Sequence, residues 1–374
     1  MFVCQHVYFM KHLFLSLFIL STCTVRLLGQ PFSAYTDIRN EFYAFDNGAL
    51  HRLEGLAPVM VKIGRSGILY HDNQRILKLY RDGAMQTVTD LFTTQFEVSD
   101  NLMMFRSANM ISVIDDGKIT TLSGLCDRYA LGDSLVVFYD NNRSTFNAYY
   151  QGKITELESV LNTNSNDFQF GTSAKVSDNI CAYINFNDQL KIFFQNNIET
   201  IENQVVNSFE VGRNTVGYVD INNIFKVYHK GQVYTLDPFK PKSYLVGDDL
   251  VAFQSSDGYF KVFYNGQLFT MGYYEPKYQV ADRVLAFQDL NGFFKVFYDG
   301  EQVMIDNYYP DKMKIAYNSL AYVNKAGILR YVYKGKVSDV TMNQVAEMRL
   351  DYDVLQYKMG YNVFRFFFAG ENYN

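Results

Sequence analysis

The 374-residue chain is predicted to be all-β, an array of about ten antiparallel units of four short strands each. Three observations predict it. The stretch 282–305, DRVLAFQDLNGFFKVFYDGEQVMI, recurs with variations along almost the whole chain. Gly48, Gly83, Gly117, Gly152, Gly231, Gly266, Gly300, Gly335 and Gly370 mark successive copies, and Asn196 replaces glycine in one more. Their spacing is 34 or 35 residues, except for 44 between Gly152 and Asn196. A fixed period in this range signals a repeat architecture.

The clearest copy gives the unit. Strand a is expected at 278–281, followed by a tight turn at Asp282-Arg283, and strand b at 284–288. A polar turn, 289–292, leads to strand c at 293–298, and Asp299-Gly300 turns the chain into strand d at 301–305. Asn-Gly or Asp-Gly between apolar runs is a strong hairpin signal, because a type I′ turn needs positive φ at both central residues. Asn196 suits that role, since Asn tolerates the left-handed region. Strand b carries an aromatic in all ten units, at Tyr35, Tyr70, Phe105, Phe138, Tyr183, Tyr218, Phe253, Phe287, Tyr322 and Tyr357. The residue before it is often small, as at Ala34, Ala182, Gly217, Ala252, Ala286 and Ala321. Neighbours in a strand point to opposite faces. Each sheet therefore offers a large residue on one face and a small one on the other, suited to close stacking. Strand c is apolar on both faces, as in 260–264, which places it inside such a stack.

Equal four-stranded meanders of this kind resemble the blades of a β-propeller. The resemblance covers residues 30–374 as a single repeat domain and matches no specific named family. Trp-Asp pairs, kelch Gly-Gly doublets and a complete Asp-box are absent from the sequence, which contains no Trp. Ten units would resemble the sortilin-type ring, with unusually short blades. Two smaller propellers or an open array are the alternatives.

Residues 1–29 read as a signal peptide. Lys11 precedes an apolar run at 13–20 that is far too short to span a membrane. Cleavage near Gly29-Gln30 would resemble secretory signals of Bacteroidota, and a lipoprotein processed at Cys23 is the minority alternative. The expected location is exported: periplasmic, cell-surface or extracellular, with no transmembrane segment in the mature chain. Residues 26–35 also align with 244–253, so residues 26–29 are candidates for strand a of the first unit. The last unit, ending at 371–374, lacks a full strand d.

From residue 30 onward, 32 Lys and Arg face 39 Asp and Glu, a net charge near −7. That argues against a nucleic-acid partner, which needs a basic face. Cys126 and Cys181 remain after processing, and a disulfide between them is open in an oxidising compartment. The one irregularity, 159–170, lengthens a d–a connection with a polar loop.

Alternating strands sort the turns onto two faces. The a–b and c–d turns share one; the b–c turns and the d–a loops share the other, which has the longer connections. Binding residues concentrate on loops held by a rigid scaffold. Candidate ligand contacts on that face are Tyr273, Tyr274, Tyr308 and Tyr309, with Asn166, Asp167 and Phe168 from the insertion. The tyrosines could stack on sugar rings or contact a protein, or simply cover the ends of their own blades. Asp37, Asp72, Asp140, Asn185, Asp220, Asp289 and Asn324 open the b–c turns. Calcium through such oxygens is set aside in favour of ordinary turn chemistry, and no cofactor is expected. Asp100, Asp133, Asp178, Asp248 and Asp282 open the a–b turns and receive the same reading. Lys78, Lys191, Lys226, Lys261, Lys295, Arg330 and Arg365 share one position in strand c. They read as long side chains lying along the blade with their charges in water.

No catalytic residue is assigned. His51, His71 and His229 occupy three different repeat positions, and neither a nucleophile elbow nor a phosphate loop is present. The expected function is a secreted, non-catalytic propeller binding a glycan or a surface protein through its loop face. The alternatives are an extracellular carbohydrate-active or lactone-type hydrolase and a structural module of a cell-surface assembly.

Overall fold

Each unit closes with the turn that its glycine position predicts. In the computed structural model, which describes residues 31–159, 173–360 and 363–374, both central residues of all ten c–d turns have positive φ. They run from Asn47 (47°) and Gly48 (90°) to Ala369 (52°) and Gly370 (90°). The copy without glycine uses Gln195 (50°) and Asn196 (63°). Their backbone twist matches that of the strands they join. The chain folds into ten antiparallel sheets in sequential order, nine with four strands and the first with three. In blade 8 strand a is Tyr278–Ala281, b is Val284–Gln288, c is Phe294–Tyr298 and d is Glu301–Asp306, within one residue of the expected bounds. Blade 1 comprises b (Phe32–Thr36), c (Phe42–Asp46) and d (Ala49–Glu54). The residues aligned with its strand a lie outside the described ones. No helix among the described residues is long and apolar enough to cross a membrane.

Strand a touches strand a of the next blade between blades 2 and 3 and from blade 4 through blade 10. It is therefore the inner strand of the ring, and d is the outer one. The last blade packs on the first. Phe45 of blade 1 stacks on Phe366 of blade 10 with centroids 4.7 Å apart and planes 9° apart, and Tyr35 meets Phe364 at 5.3 Å. Ser33 Oγ donates to Asp351 Oδ2 at 2.7 Å, and Arg349 donates to the carbonyl of Ala34 at 2.6 Å. The ring is thus closed, and among the described residues its seam is made of packed faces and side-chain bonds. Blade 10 ends in a d strand of three residues, Glu371–Tyr373.

The large and small columns meet across the blade interfaces. Ala182 of blade 5 lies in one buried cluster with Tyr218 of blade 6, and Ala252 of blade 7 with Phe287 of blade 8. Ala286 of blade 8 does the same with Tyr322 of blade 9. All six of these residues are at most 1% exposed. The core is therefore a chain of clusters, one per interface, rather than a single central one. Cys126 and Cys181 are both buried as free thiols in different clusters, so they form no disulfide.

The strand-c basic column departs from the sequence reading. Four of its seven charges, on Lys78, Lys191, Lys226 and Arg330, join a latch between blades instead of standing in water. Tyr218 of strand b lies directly opposite Lys226 of strand c. Both side chains reach Glu202, at the end of strand d of the preceding blade, at 3.0 and 2.7 Å. Lys226 also pairs with Asp220 Oδ2 at 3.0 Å, while Asp220 Oδ1 accepts the backbone N–H groups of Asn222 and Ile224. Blades 1 and 2 repeat the arrangement with Tyr70, Lys78, Asp72 and Glu54. Tyr183 and Lys191 take Glu158, and Tyr322 and Arg330 take Asp306. Burial alone would lower the pKa of Lys226, but the bonds from Glu202 and Asp220 raise it. The b–c turn acids thus serve the turn with one oxygen and the latch with the other.

A second constraint lies at the inner strand. A Cβ on Gly212 would stand 2.1 Å from the carbonyl oxygen of Gly247, and one on Gly247 would stand 2.4 Å from that of Asp282. Glycine is needed there because neighbouring inner turns crowd together at the narrow end of each wedge.

Two stability predictions follow from these contacts. Gly212→Ala should lower stability by about 3 kcal/mol or more, because backbone must move. Gly83→Ala, where nothing lies within 4 Å but φ is +75°, should cost only about 1 kcal/mol. Urea titrations that rank the two equally would remove the crowding argument. Glu202→Ala leaves the Tyr218 phenol without its acceptor and takes one of two carboxylates from the Lys226 ammonium, and should cost about 1–3 kcal/mol. An unchanged urea midpoint would show that the latch contributes nothing.

Candidate functional site

The loop face sorts the predicted residues one by one. Tyr273 and Tyr308 are exposed, at 66% and 55%. Their neighbours turn inward: Tyr274 packs against the cluster around Phe260, and Tyr309 meets the Phe294 ring edge-on at 5.4 Å. Each tyrosine pair therefore gives one outward ring and one that covers its own blade. Tyr273 rests edge-on against Tyr259, with centroids 5.3 Å apart. The Nζ of Lys325 sits 3.4 Å from the centroid of Tyr308. Asn166, Asp167 and Phe168 lie outside the described residues. The face also carries Phe239, 64% exposed on the d–a loop between blades 6 and 7, and Leu290, 67% exposed on the b–c turn of blade 8. Sequence reasoning missed Phe239. Its signal was its place in 238–242, the d–a loop immediately before the one that carries Tyr273.

The opposite end holds a constellation that the turn reading of the a–b acids did not anticipate. The first turn residue of blades 2 to 10 runs Arg65, Asp100, Asp133, Asp178, Arg213, Asp248, Asp282, Tyr317, Tyr352. Because strand a is innermost, these nine side chains crowd toward the axis and reach over intervening blades. Arg213 Nε lies 3.1 Å from Asp178 Oδ2, and its other arm is 3.7 Å from Asp133 Oδ2, two blades away. Arg65 pairs with Asp100 at 3.6 Å and lies over the Tyr317 ring, 4.3 Å from its centroid, three blades away. Tyr352 hydrogen-bonds Asp100 from the far side of blades 1 and 2. Backbone groups join in: Asp133 accepts the N–H of Asp100, Asp248 that of Arg213, and Asp282 that of Tyr317 at 2.6 Å. Tyr317 and Tyr352 hold positive φ of 51° and 54°, a strained state for bulky residues.

Five carboxylates and two guanidiniums share this space, so the charges do not balance. Burial, with neighbouring carboxylates, pushes Asp133 and Asp178 up to about 7, and Asp100 and Asp248 up to about 6. Asp282 is raised for the same reason. Asp178 stands between Asp133 and Asp248, and this like-charge crowding adds to burial in favouring the protonated forms. Every one of the five carboxyls thus engages a neighbouring turn or an arginine. Chemically this is a proton-holding plug. Among the described residues, no group of three or more His, Cys, Asp or Glu side chains could hold a metal ion.

The plug makes stability depend on pH with a definite sign. Its carboxyls have folded pKa values above the unfolded 3.8, so the folded state keeps protons that the unfolded chain releases. Their contribution is most favourable below about pH 4 and is lost as pH rises through 6 to 7, by up to about 1.4 kcal/mol per pH unit per group. Asp178→Asn should flatten the fall in melting temperature between pH 5 and 8 relative to the parent chain. Parallel curves for the two would refute shared protonation at this site.

Residues 26–373 match the family described as the 10-bladed beta propeller domain. No curated protein matches. Among solved structures, the chain is similar to the computationally designed Ika8 protein, with 16% identity and a TM-score of 0.32, over 74% of this chain and 96% of that one. It is also similar to the CRINKLY WD40 ectodomain of the receptor kinase ACR4 of Arabidopsis thaliana, with 10% identity, a TM-score of 0.34 and coverage of 66% and 97%. BamB of Moraxella catarrhalis gives 9% identity, a TM-score of 0.32 and coverage of 73% and 95%. With ten sheets in a closed ring and a family match over nearly its whole length, the chain belongs to the ten-bladed β-propeller domains.

Proposed function

We propose that the protein is an exported, non-catalytic binding propeller that recognises a glycan or a surface protein through its b–c and d–a loop face. One observation carries this reading. Three successive d–a junctions each present one exposed aromatic ring, Phe239 and Tyr308 in the loops and Tyr273 at the end of strand d, at 64%, 55% and 66%. Solvent-facing rings at the same junction of successive blades have no core to serve. Aromatic rings concentrate in recognition surfaces because they bring large contact area at low entropic cost. The axial plug at the opposite end offers less to a ligand, since its carboxyls are engaged with arginines and backbone N–H groups. That also weighs against a hydrolase built on those acids, whose groups would need free access to a substrate. Export rests on the sequence of residues 1–29, with Lys11 ahead of the apolar run.

A glycan array and a pull-down from the native cell surface test this reading with the purified chain. The Phe239→Ala, Tyr273→Ala, Tyr308→Ala triple variant should lose at least about tenfold in affinity for whatever is captured, with an unchanged melting temperature. Capture that survives all three substitutions would move the binding surface elsewhere.

A further inference from the structure

The a–b and c–d face carries a polar hollow of about 240 Å³ between blades 7 and 8, away from the exposed aromatics of the loop face. It is marked by a break in the repeat. The second residue of the a–b turn is Ser, Asn or Asp in every other blade from Ser66 to Asp353, and in blade 8 it is Arg283. Arg283 is half-buried and lines the hollow. Among the described residues, no carboxylate pairs with its guanidinium. An arginine in a turn where a small polar residue suffices eight times over has no structural task on view.

The remaining lining groups are pinned on one side and open on the other. Asp249 Oδ1 takes three donors, from Asn214 at 3.0 Å and from His229 and Lys230 at 2.9 Å each, and its Oδ2 has no partner among the described residues. Asp299 Oδ1 accepts the Tyr264 hydroxyl at 2.6 Å, and its Oδ2 is likewise unclaimed among the described residues. Asn265 Oδ1 accepts from Lys230 at 3.1 Å, which leaves its Nδ2 as a donor. Tyr298 donates its hydroxyl to Asn318 at 3.3 Å and can still accept. The hollow therefore presents fixed acceptors and fixed donors side by side.

That mixture selects a chemical class. A simple anion would meet Asp249 and Asp299, and a simple cation would meet Arg283. Adjacent hydroxyl groups satisfy both, because each hydroxyl donates once and accepts twice. The volume suits one sugar ring. We propose that this hollow binds a neutral saccharide unit, with Arg283 and Asn265 donating to its ring hydroxyls and Asp249 and Asp299 accepting from them. The site is separate from the loop-face reading, so the protein carries two recognition surfaces on opposite ends of the ring.

Saturation-transfer NMR of the purified full chain tests it, using a panel of neutral hexoses, 6-deoxyhexoses, pentoses and N-acetylhexosamines, with free amino acids alongside. At least one sugar should receive saturation. Arg283→Ser, which installs a residue other blades already use here, should weaken that sugar by about tenfold or more by calorimetry without changing the melting temperature. Asp299→Ala should do the same. The Tyr273→Ala, Tyr308→Ala double variant should leave it unchanged, which separates this site from the loop face. No transfer to any sugar, transfer to the amino acids alone, or full affinity in Arg283→Ser would overturn the proposal.

Discussion

The whole ring depends on sheets that are apolar on both faces and unequal across them. A blade with a bare face cannot stand alone, and its only way to bury that face is another blade. The aromatic of strand b and the small residue before it let each sheet receive the next, as Tyr218 is received against Ala182. The demand passes from blade to blade until Phe45 and Phe366 satisfy it at the seam. Closure is a consequence of the interface chemistry, repeated until no face is left uncovered.

The latch and the inner glycines are the two devices that make this packing directional. Apolar faces slide easily, and the network of tyrosine, acid and base fixes their register where it gives an interface one set of partly buried polar partners. It occurs at the interfaces closed by Glu54, Glu158, Glu202 and Asp306, so it reinforces some junctions more than others. At the inner end the wedge shape leaves so little room that Gly212 and Gly247 replace a side chain altogether. The crowding also drives the next residue of each turn toward the axis. The concentration of aspartates there, with their raised pKa values, is the electrostatic result of putting one turn residue from each blade at the point of highest convergence.

Function on such a scaffold is read from departures from the repeat. The latch, the turns and the core recur and so explain themselves structurally. Phe239, Tyr273 and Tyr308 are outward where a core aromatic would be inward, and Arg283 is large where its counterparts are small. These two departures lie on opposite ends of the ring and support separate recognition surfaces.

The sequence by itself determined the repeat, the four strands of its clearest copy to within a residue, the type I′ turns and the large-against-small faces. All of these are local, fixed by φ preferences at Asn-Gly and Asp-Gly and by the two-residue period of a strand. It also placed Asp72 and Asp220 as the residues that open their turns by bonding the backbone. Only the tertiary structure decided that the array closes as one ring of ten, since two smaller rings use the same units. It decided that Lys226 is paired rather than solvated, because Glu202 belongs to another blade and lies 24 residues away. It decided that Asp100, Asp133, Asp178, Asp248 and Asp282 share one space, and that Tyr273 faces out while Tyr274 faces in. Those facts depend on which residues of different blades become neighbours, and spacing along a chain carries that information only once the curvature of the ring is known.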